Sequence, residues 1–342
     1  MTSTIRVPTT RIFLLATDWC TQEHMKQPMS RLLVTATVLA AGMLAASCTT
    51  TNAPEPRSHP YHSVTVDGLT RTWDLYVPDG ADRAVSQPMP VMLVVHGTGD
   101  SAAGVRGLIG PDLEELAYTE GFVIAYVDGH ANNWNECRAA GMWPAKEQNL
   151  DDVGFMRQVV AAVGEELGPE VVDTGRTCAM GFSSGGHMVQ RLAFEAADFV
   201  SGVAVVNANV PVDDNITCED SRTPVPMIFI EGREDTINPI NGGEVVFGHG
   251  SEAISRGFVR SAVDSANWFA ERNGASDATE PVRDGDAEIT DWPATAPGAE
   301  PVRLIAVDKS GHSFPTATGR WGHSNGARYD GPGAVWDFFA GL

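Results

Sequence analysis

Residues 176–187 read Arg-Thr-Cys-Ala-Met-Gly-Phe-Ser-Ser-Gly-Gly-His, an apolar, strand-like run that breaks into Gly181-x-Ser183-x-Gly185 and passes into an amphipathic helical pattern over 188–197. This is the sequence form of an elbow, a sharp strand-to-helix turn that holds a serine with its hydroxyl exposed as a nucleophile. Small residues flank the serine because a side chain at 181 or 185 would collide with the neighbouring strand or helix. A bare GxSxG arises often by chance. Here Cys178, Met180 and Phe182 lead in as a strand and a helix follows, which separates the segment from a glycine-rich turn with an incidental serine. Ser183 is the candidate nucleophile.

An elbow serine is inert unless a histidine takes its proton and an acid fixes that histidine's tautomer, in the chain order Ser, acid, His. The apolar run 226–232 ends in Arg233-Glu-Asp235-Thr, and the run 302–308 ends in Lys309-Ser-Gly-His312-Ser-Phe-Pro315. Each places a reactive side chain just past the C-terminal end of a strand, where open parallel sheets build their sites. Nine histidines compete for the base. His24 and His59 lie in or near the leader, His62 lies before the first strand, and His130, His249 and His323 sit in loops that match no such position. His187, on the helix after the elbow, reads as packing or solvated, and His96 opens the turn described below, which leaves His312. For the acid, Asp235 is favoured over Glu231, inside the apolar strand end, and Glu234, expected to face solvent. The strand 91–95 followed by His96-Gly97-Thr98-Gly99 supplies a turn whose backbone N–H at Thr98, with that of Ser184, would hold a developing oxyanion. His96 is read both as a wall of that site and as a structural ring in a tight turn.

With these residues in place, the chain resembles the polyhydroxybutyrate depolymerase and feruloyl esterase family of α/β-hydrolases. The likeness is carried by His96-Gly-Thr-Gly99, Glu120-Gly-Phe-Val-Ile-Ala-Tyr-Val-Asp-Gly129, Asn133-Trp-Asn135, Asp151-Asp-Val-Gly-Phe155, Gly181-Phe-Ser-Ser-Gly-Gly186, Asp235 with Asn241-Gly-Gly243, Gly311-His312 with Phe314-Pro315, and Val335-Trp-Asp-Phe-Phe339, across about residues 62–340. The resemblance implies Ser183 as nucleophile, Asp235 as acid and His312 as base, with no cofactor and no metal. Val127 stands where the family usually has proline, and Ser313-Phe314 where Thr-Trp is common. The second departure touches the pocket beside the base, so substrate choice carries over less safely than mechanism.

The first 47 residues read as a signal peptide: Lys26 and Arg31 form a basic n-region, 32–44 an apolar core, and Ala45-Ala-Ser-Cys48 a small-residue cleavage site. Translation from Met25 or Met29 would leave residues 1–24 unused. Cys48 after small residues resembles a bacterial lipobox whose cysteine is acylated; a plain secretory signal is the alternative. A flexible tether over 48–60 then leads to one α/β-hydrolase catalytic domain over 61–342. Without residues 1–47 the chain keeps 19 basic and 42 acidic side chains, about −23, a surface that repels phosphate backbones, so no nucleic-acid partner is expected. Of the remaining cysteines, Cys178 reads as buried before the elbow, while Cys137 and Cys218 lie in loops and form the candidate disulfide of an oxidising compartment.

Strands alternating with helices, the first helix expected near 111–120, predict a mostly parallel sheet covered on both faces. The long loop 129–150 carries Trp134, Asn135 and Trp143, read either as pocket walls, with His96 and Phe314, or as an Ω-type loop packed on its own aromatics. Residues 277–300, acidic and rich in Pro, Ala and Gly, are expected to form an exposed excursion. The functional expectation is a secreted, cell-surface lipoprotein serine carboxylesterase, monomeric and touching the membrane only through Cys48. Short acyl or hydroxyacyl esters such as hydroxybutyrate oligomers rank ahead of feruloyl esters, because the chain ends at Leu342 without the surface-binding module that solid polyester requires, and the acidic surface favours neutral substrates. The rivals are another acyl specificity, acetyl-xylan esterase or peptidase, and a non-catalytic surface lipoprotein binding glycan or polyester.

Overall fold

The computed structural model describes residues 61–79, 87–248, 250, 253–318 and 327–342. The expected signal peptide, Cys48 and the tether lie outside the described residues. In chain order the strands are β1 (His62–Val66), β2 (Leu69–Tyr76), β3 (Met89–Val95), β4 (Val123–Val127), β5 (Val172–Phe182), β6 (Gly202–Val206), β7 (Met227–Gly232), β8 (Gly243–Phe247), β9 (Ile254–Val259), β10 (Val282–Asp284), β11 (Ala287–Trp292) and β12 (Val302–Val307). The helices are α1 (Ala102–Glu120), the single turn α2 (Pro144–Glu147), α3 (Asp152–Leu167), α4 (Ser184–Glu195), α5 (Ala262–Asn273) and α6 (Gly331–Ala340).

Ten strands make one sheet in the order β1-β2-β4-β3-β5-β6-β7-β12-β11-β10. The six central strands, β4 to β12 in that order, run parallel, and antiparallel pairs close both edges. The central strands are apolar on both faces because both faces are covered. Val91, Leu93, Val95, Val203, Val205 and Phe229 pack under α3, α4 and α5 through Phe155, Val159, Met188, Leu192 and Phe269. Met92, Val94, Ala204, Val206, Ile228 and Ile230 pack under α1 and α6 through Val105, Ile109, Leu113, Val335 and Phe338. The expected fold class is the one observed. With six parallel strands, their C-terminal ends open on one side, and Ser183, Asp235 and His312 all follow such ends.

Two sequence expectations are corrected. The excursion 277–300 contains β10 and β11, which extend the sheet antiparallel from β12. Its apolar pattern is weak because β10 is exposed throughout. Helix α1, expected near 111–120, begins at Ala102, where the Ser101 side chain caps the Gly104 N–H at 3.1 Å. Three glycines and Pro111 make its first half a poor helix by propensity, and burial of Val105 and Ile109 overrides that. A separate antiparallel hairpin, β8–β9, stands beyond the end of β7.

Candidate active site

Ser183 sits between β5 and α4 with φ 55° and ψ −121°. A non-glycine residue in that region carries about 1–3 kcal/mol of strain, held only where surrounding packing dictates it. The glycines around it explain how it is held. A Cβ on Gly181 would fall 2.1 Å from the Gly185 carbonyl oxygen, and one on Gly185 would fall 2.1 Å from that of Val95. Helix α4 therefore approaches β5 and the end of β3 more closely than any side chain allows.

His312, on the loop after β12, has Nε2 2.9 Å from Ser183 Oγ and Nδ1 2.7 Å from Asp235 Oδ2. Asp235 is 6% exposed, and its other oxygen accepts from the Ile237 and Asn238 N–H groups at 2.8 and 2.9 Å. The carboxylate is thus fixed in its loop with one lone-pair face left for the imidazole, so His312 keeps a proton on Nδ1 and turns a basic Nε2 to the serine. Of the rival acids, Glu231 is fully buried and turned elsewhere, accepting from Ala208 N–H at 3.1 Å and Asn238 Nδ2 at 3.2 Å. Burial pushes its carboxyl well above the usual range.

The turn after β3 lies against the elbow: a Cβ on Gly97 would stand 3.4 Å from Ser183 Cβ. Gly99 N–H donates to Asn132 O at 2.9 Å, which fixes the turn. The N–H groups of Thr98 and Ser184 meet no protein acceptor among the described residues, Ser184 being the first residue of α4. Two unpaired donors beside a strained serine, with an imidazole on its hydroxyl, form an arrangement able to accept a tetrahedral oxyanion.

The five expected pocket residues are buried rather than exposed as walls of that cleft. His96, Trp134, Asn135, Trp143 and Phe314 are between 0% and 5% exposed. His96 Nδ1–H donates to Gly97 O at 2.7 Å and its Nε2 accepts Gly129 N–H at 2.9 Å, while Trp134 Nε1–H donates to His96 O at 2.9 Å. Those bonds rivet the 129–134 segment to the end of β3; burial holds the imidazole below its ordinary pKa and neutral. Asn135 donates to Asn149 Oδ1 and Leu150 O, and Trp143 donates to Trp134 O. The loop packs on its own aromatics, the Ω-type alternative. Phe314 belongs to the core under α1 and α6. The sulfurs of Cys137 and Cys218 are bonded, tying this loop to the segment after β6, and Cys178 is a buried thiol.

One residue with a structural part in the site was missed. Asn207, directly after β6 with φ 49°, is 1% exposed. Its Nδ2 donates to the carbonyls of Gly311 and Ser313 at 3.2 and 2.8 Å, and its Oδ1 accepts Gly232 N–H at 2.8 Å. It thereby clasps the chain on both sides of His312 and ties it to the strand that presents Asp235. The sequence signal was an asparagine ending the apolar run 202–206, which reads as an ordinary turn. Arg71 and Asp152 were missed as a pair as well: a buried ion pair at 2.7 Å, with Asp152 also accepting Asn135 N–H at 2.6 Å, anchors the root of the long loop.

No family model matches the chain. Among curated proteins it is similar to NocK of Nocardia uniformis subsp. tsuyamanensis, which carries an esterase name, at 34% identity over 52% of this chain and 49% of that protein. It is also similar to feruloyl esterase B of Thermothelomyces thermophilus, at 32% identity over 42% of this chain and 50% of that one. The chain spans about half the length of these relatives. Among solved structures, the acetyl xylan esterase from Aspergillus awamori superposes with a TM-score of 0.53 at 13% identity, over 83% of this chain and all of that one. The fold is that of the α/β-hydrolases.

Proposed function

We propose that the chain is a serine carboxylic-ester hydrolase. The observation that carries this reading is the unbroken hydrogen-bonded series from Asp235 through His312 to Ser183, with two unpaired backbone donors beside it. The esterase names of the relatives support it. His312 Nε2 takes the Ser183 proton as Oγ attacks the ester carbonyl carbon. The Thr98 and Ser184 N–H groups hold the oxyanion, each donor of this kind being worth about 3–4 kcal/mol to the transition state. The alcohol leaves with the proton from Nε2, and a water activated by the same nitrogen releases the acid. Asp235 stabilises the imidazolium without taking its proton.

Short acyl and hydroxyacyl esters, such as hydroxybutyrate oligomers, are the first substrate class of this proposal. Feruloyl esters are the second, favoured by the feruloyl esterase names among the relatives. The same proposal puts the protein outside a bacterial cell, acylated at Cys48, on the strength of residues 25–48. Burst release from p-nitrophenyl butyrate, with one equivalent of fluorophosphonate bound and both abolished in Ser183→Ala, is the expected result. A Ser183→Ala protein that still turns over would overturn the mechanism. Relative kcat/KM on p-nitrophenyl butyrate, a hydroxybutyrate trimer and methyl ferulate ranks the substrate classes.

A further inference from the structure

The loop 129–150 grows from the C-terminal end of β4, the segment 207–221 from that of β6, and the β8–β9 hairpin from beyond that of β7. All three rise on the side of the sheet where Ser183 and His312 sit, and they are bonded to one another. Arg138 pairs in a β-bridge with Ile216, Pro211 with Val259, and Asn215 Nδ2 donates to the carbonyls of Arg256 and Phe258 at 3.1 and 3.2 Å. Where they meet, cations gather in a chain whose formal net charge is −21. Trp143 is faced by Arg138 and Arg256, with guanidinium carbons 5.7 and 4.5 Å from its ring centre. Lys146 and Arg191 stand alongside.

Most of these cations are satisfied. Arg138 Nε bonds Glu136 Oε1 at 2.8 Å, and Arg138 N–H takes the second oxygen at 2.6 Å, so each oxygen of that carboxylate has a partner. Lys146 donates to Glu136 O at 2.7 Å, and Arg191 pairs with Glu195 at 2.8 Å. Arg256 is the exception. It is 8% exposed, yet among the described residues its guanidinium meets no carboxylate and no hydrogen-bond acceptor. Stacking on Trp143 offsets part of its desolvation but uses none of its five N–H donors. Burial and the charge of Arg138 both disfavour its cationic form, and the Glu136 carboxylate offsets part of that. His187, whose N–H bonds Ser183 O at 3.1 Å in the first turn of α4, feels the charges of both Arg138 and His312.

We propose that Arg256, backed by Arg138 and stacked on Trp143, is a carboxylate-binding subsite, so that the preferred substrates are esters that also carry a free carboxylate. This rests on the ester-hydrolase reading above and narrows it. A planar guanidinium with an open fork matches a carboxylate through two parallel N–H···O bonds, and the surrounding low dielectric strengthens both. The carboxylate belongs either to the acyl chain or to the alcohol. In both cases the subsite selects a monoacid over the isosteric neutral ester, against the repulsive field of the molecule as a whole.

The test compares kcat/KM for matched pairs. On the acyl side, mono-4-nitrophenyl succinate, glutarate and adipate are set against the corresponding unsubstituted alkanoates. On the alcohol side, 3-carboxyphenyl pentanoate is set against phenyl pentanoate. At least one acid is expected to exceed its neutral partner tenfold or more, and Arg256→Gln is expected to erase that ratio while Arg256→Lys keeps part of it. Which pair responds identifies the end of the ester that carries the charge. Acid-to-neutral ratios near one in the wild type, or ratios unmoved in Arg256→Gln, overturn the subsite even if Ser183-dependent hydrolysis is confirmed. A readout independent of turnover separates this from failure of the ester-hydrolase reading. Calorimetry on Ser183→Ala should show monomethyl adipate binding at least tenfold tighter than dimethyl adipate, with the difference lost when Arg256→Gln is added. Equal affinities, or no binding of the acid, overturn the proposal.

Discussion

Replacing Asn207 by alanine should separate positioning of the base from chemistry at the base. The substitution removes three buried hydrogen bonds, two to the carbonyls of Gly311 and Ser313 and one from Gly232 N–H. A buried donor left unpaired costs about 1–3 kcal/mol, and each carbonyl that loses its partner adds about 1 kcal/mol. Alanine at φ 49° adds roughly 1 kcal/mol that asparagine largely avoids. The sum, about 4–6 kcal/mol, is a large part of the stability of an ordinary domain yet leaves a domain of middling stability folded at low temperature. Without the clasp the segment around His312 is free to move, and a shift of about 1 Å at a reacting group costs on the order of 100-fold. The expected result is an acylation rate, read from the p-nitrophenyl butyrate burst, lowered about 30- to 100-fold, with the substrate dissociation constant from the concentration dependence of the burst rate within about threefold because no substrate contact is lost. Asn207→Gly removes the backbone penalty but not the missing bonds, so it should regain roughly 1 kcal/mol of urea stability and none of the rate. An Asn207→Ala protein that is folded and acylates within threefold of wild type would refute the clasp, as would recovery of the rate by glycine.

Asp235→Asn should lower kcat by about 10⁴-fold through the wrong imidazole tautomer while Glu234→Gln stays near wild type; the reverse order in steady-state assays would reassign the acid. His96 and His187 are both held below their ordinary pKa by burial, so the native state keeps them neutral while the unfolded chain protonates below about pH 6.5. Each therefore contributes stability that is present above that pH and lost on acidification, approaching about 1.4 kcal/mol per pH unit. Glu231, raised by burial, contributes with the opposite sign, so the informative quantity from urea titrations at pH 7.5, 6.5 and 5.5 is wild type minus His187→Phe, which should shrink as pH falls. Removing the Cys137–Cys218 bridge, which spans 81 residues, should cost about 4 kcal/mol by loop entropy and roughly 10 °C in Tm; a scan within 2 °C of wild type for Cys137→Ser/Cys218→Ser would contradict that.

The parts of the site that could be read in the sequence are those whose chemistry is local. Gly181, Ser183 and Gly185 announce the elbow because the turn itself forbids side chains, and His312 and Asp235 follow apolar runs long enough to be strands. What stayed hidden depends on contacts between distant segments. Trp134 and Trp143 look like pocket walls in one dimension, and only the bonds to His96 and Trp134 show them turned inward. Asn207 looks like a turn residue until the chain around residue 312 folds onto it. Strands β10 and β11 were illegible because an exposed sheet edge requires no apolar pattern.

The three segments that rise above the sheet are cross-linked among themselves by a disulfide, two β-bridges and the Asn215 side chain. The elbow and its histidine are carried by separate strands underneath. On the proposed function and subsite, selectivity and reactivity lie on different pieces of chain, and a relative's specificity should be transplantable only as the whole triplet. Exchanging one segment alone would break the cross-links to the other two before it altered any substrate contact.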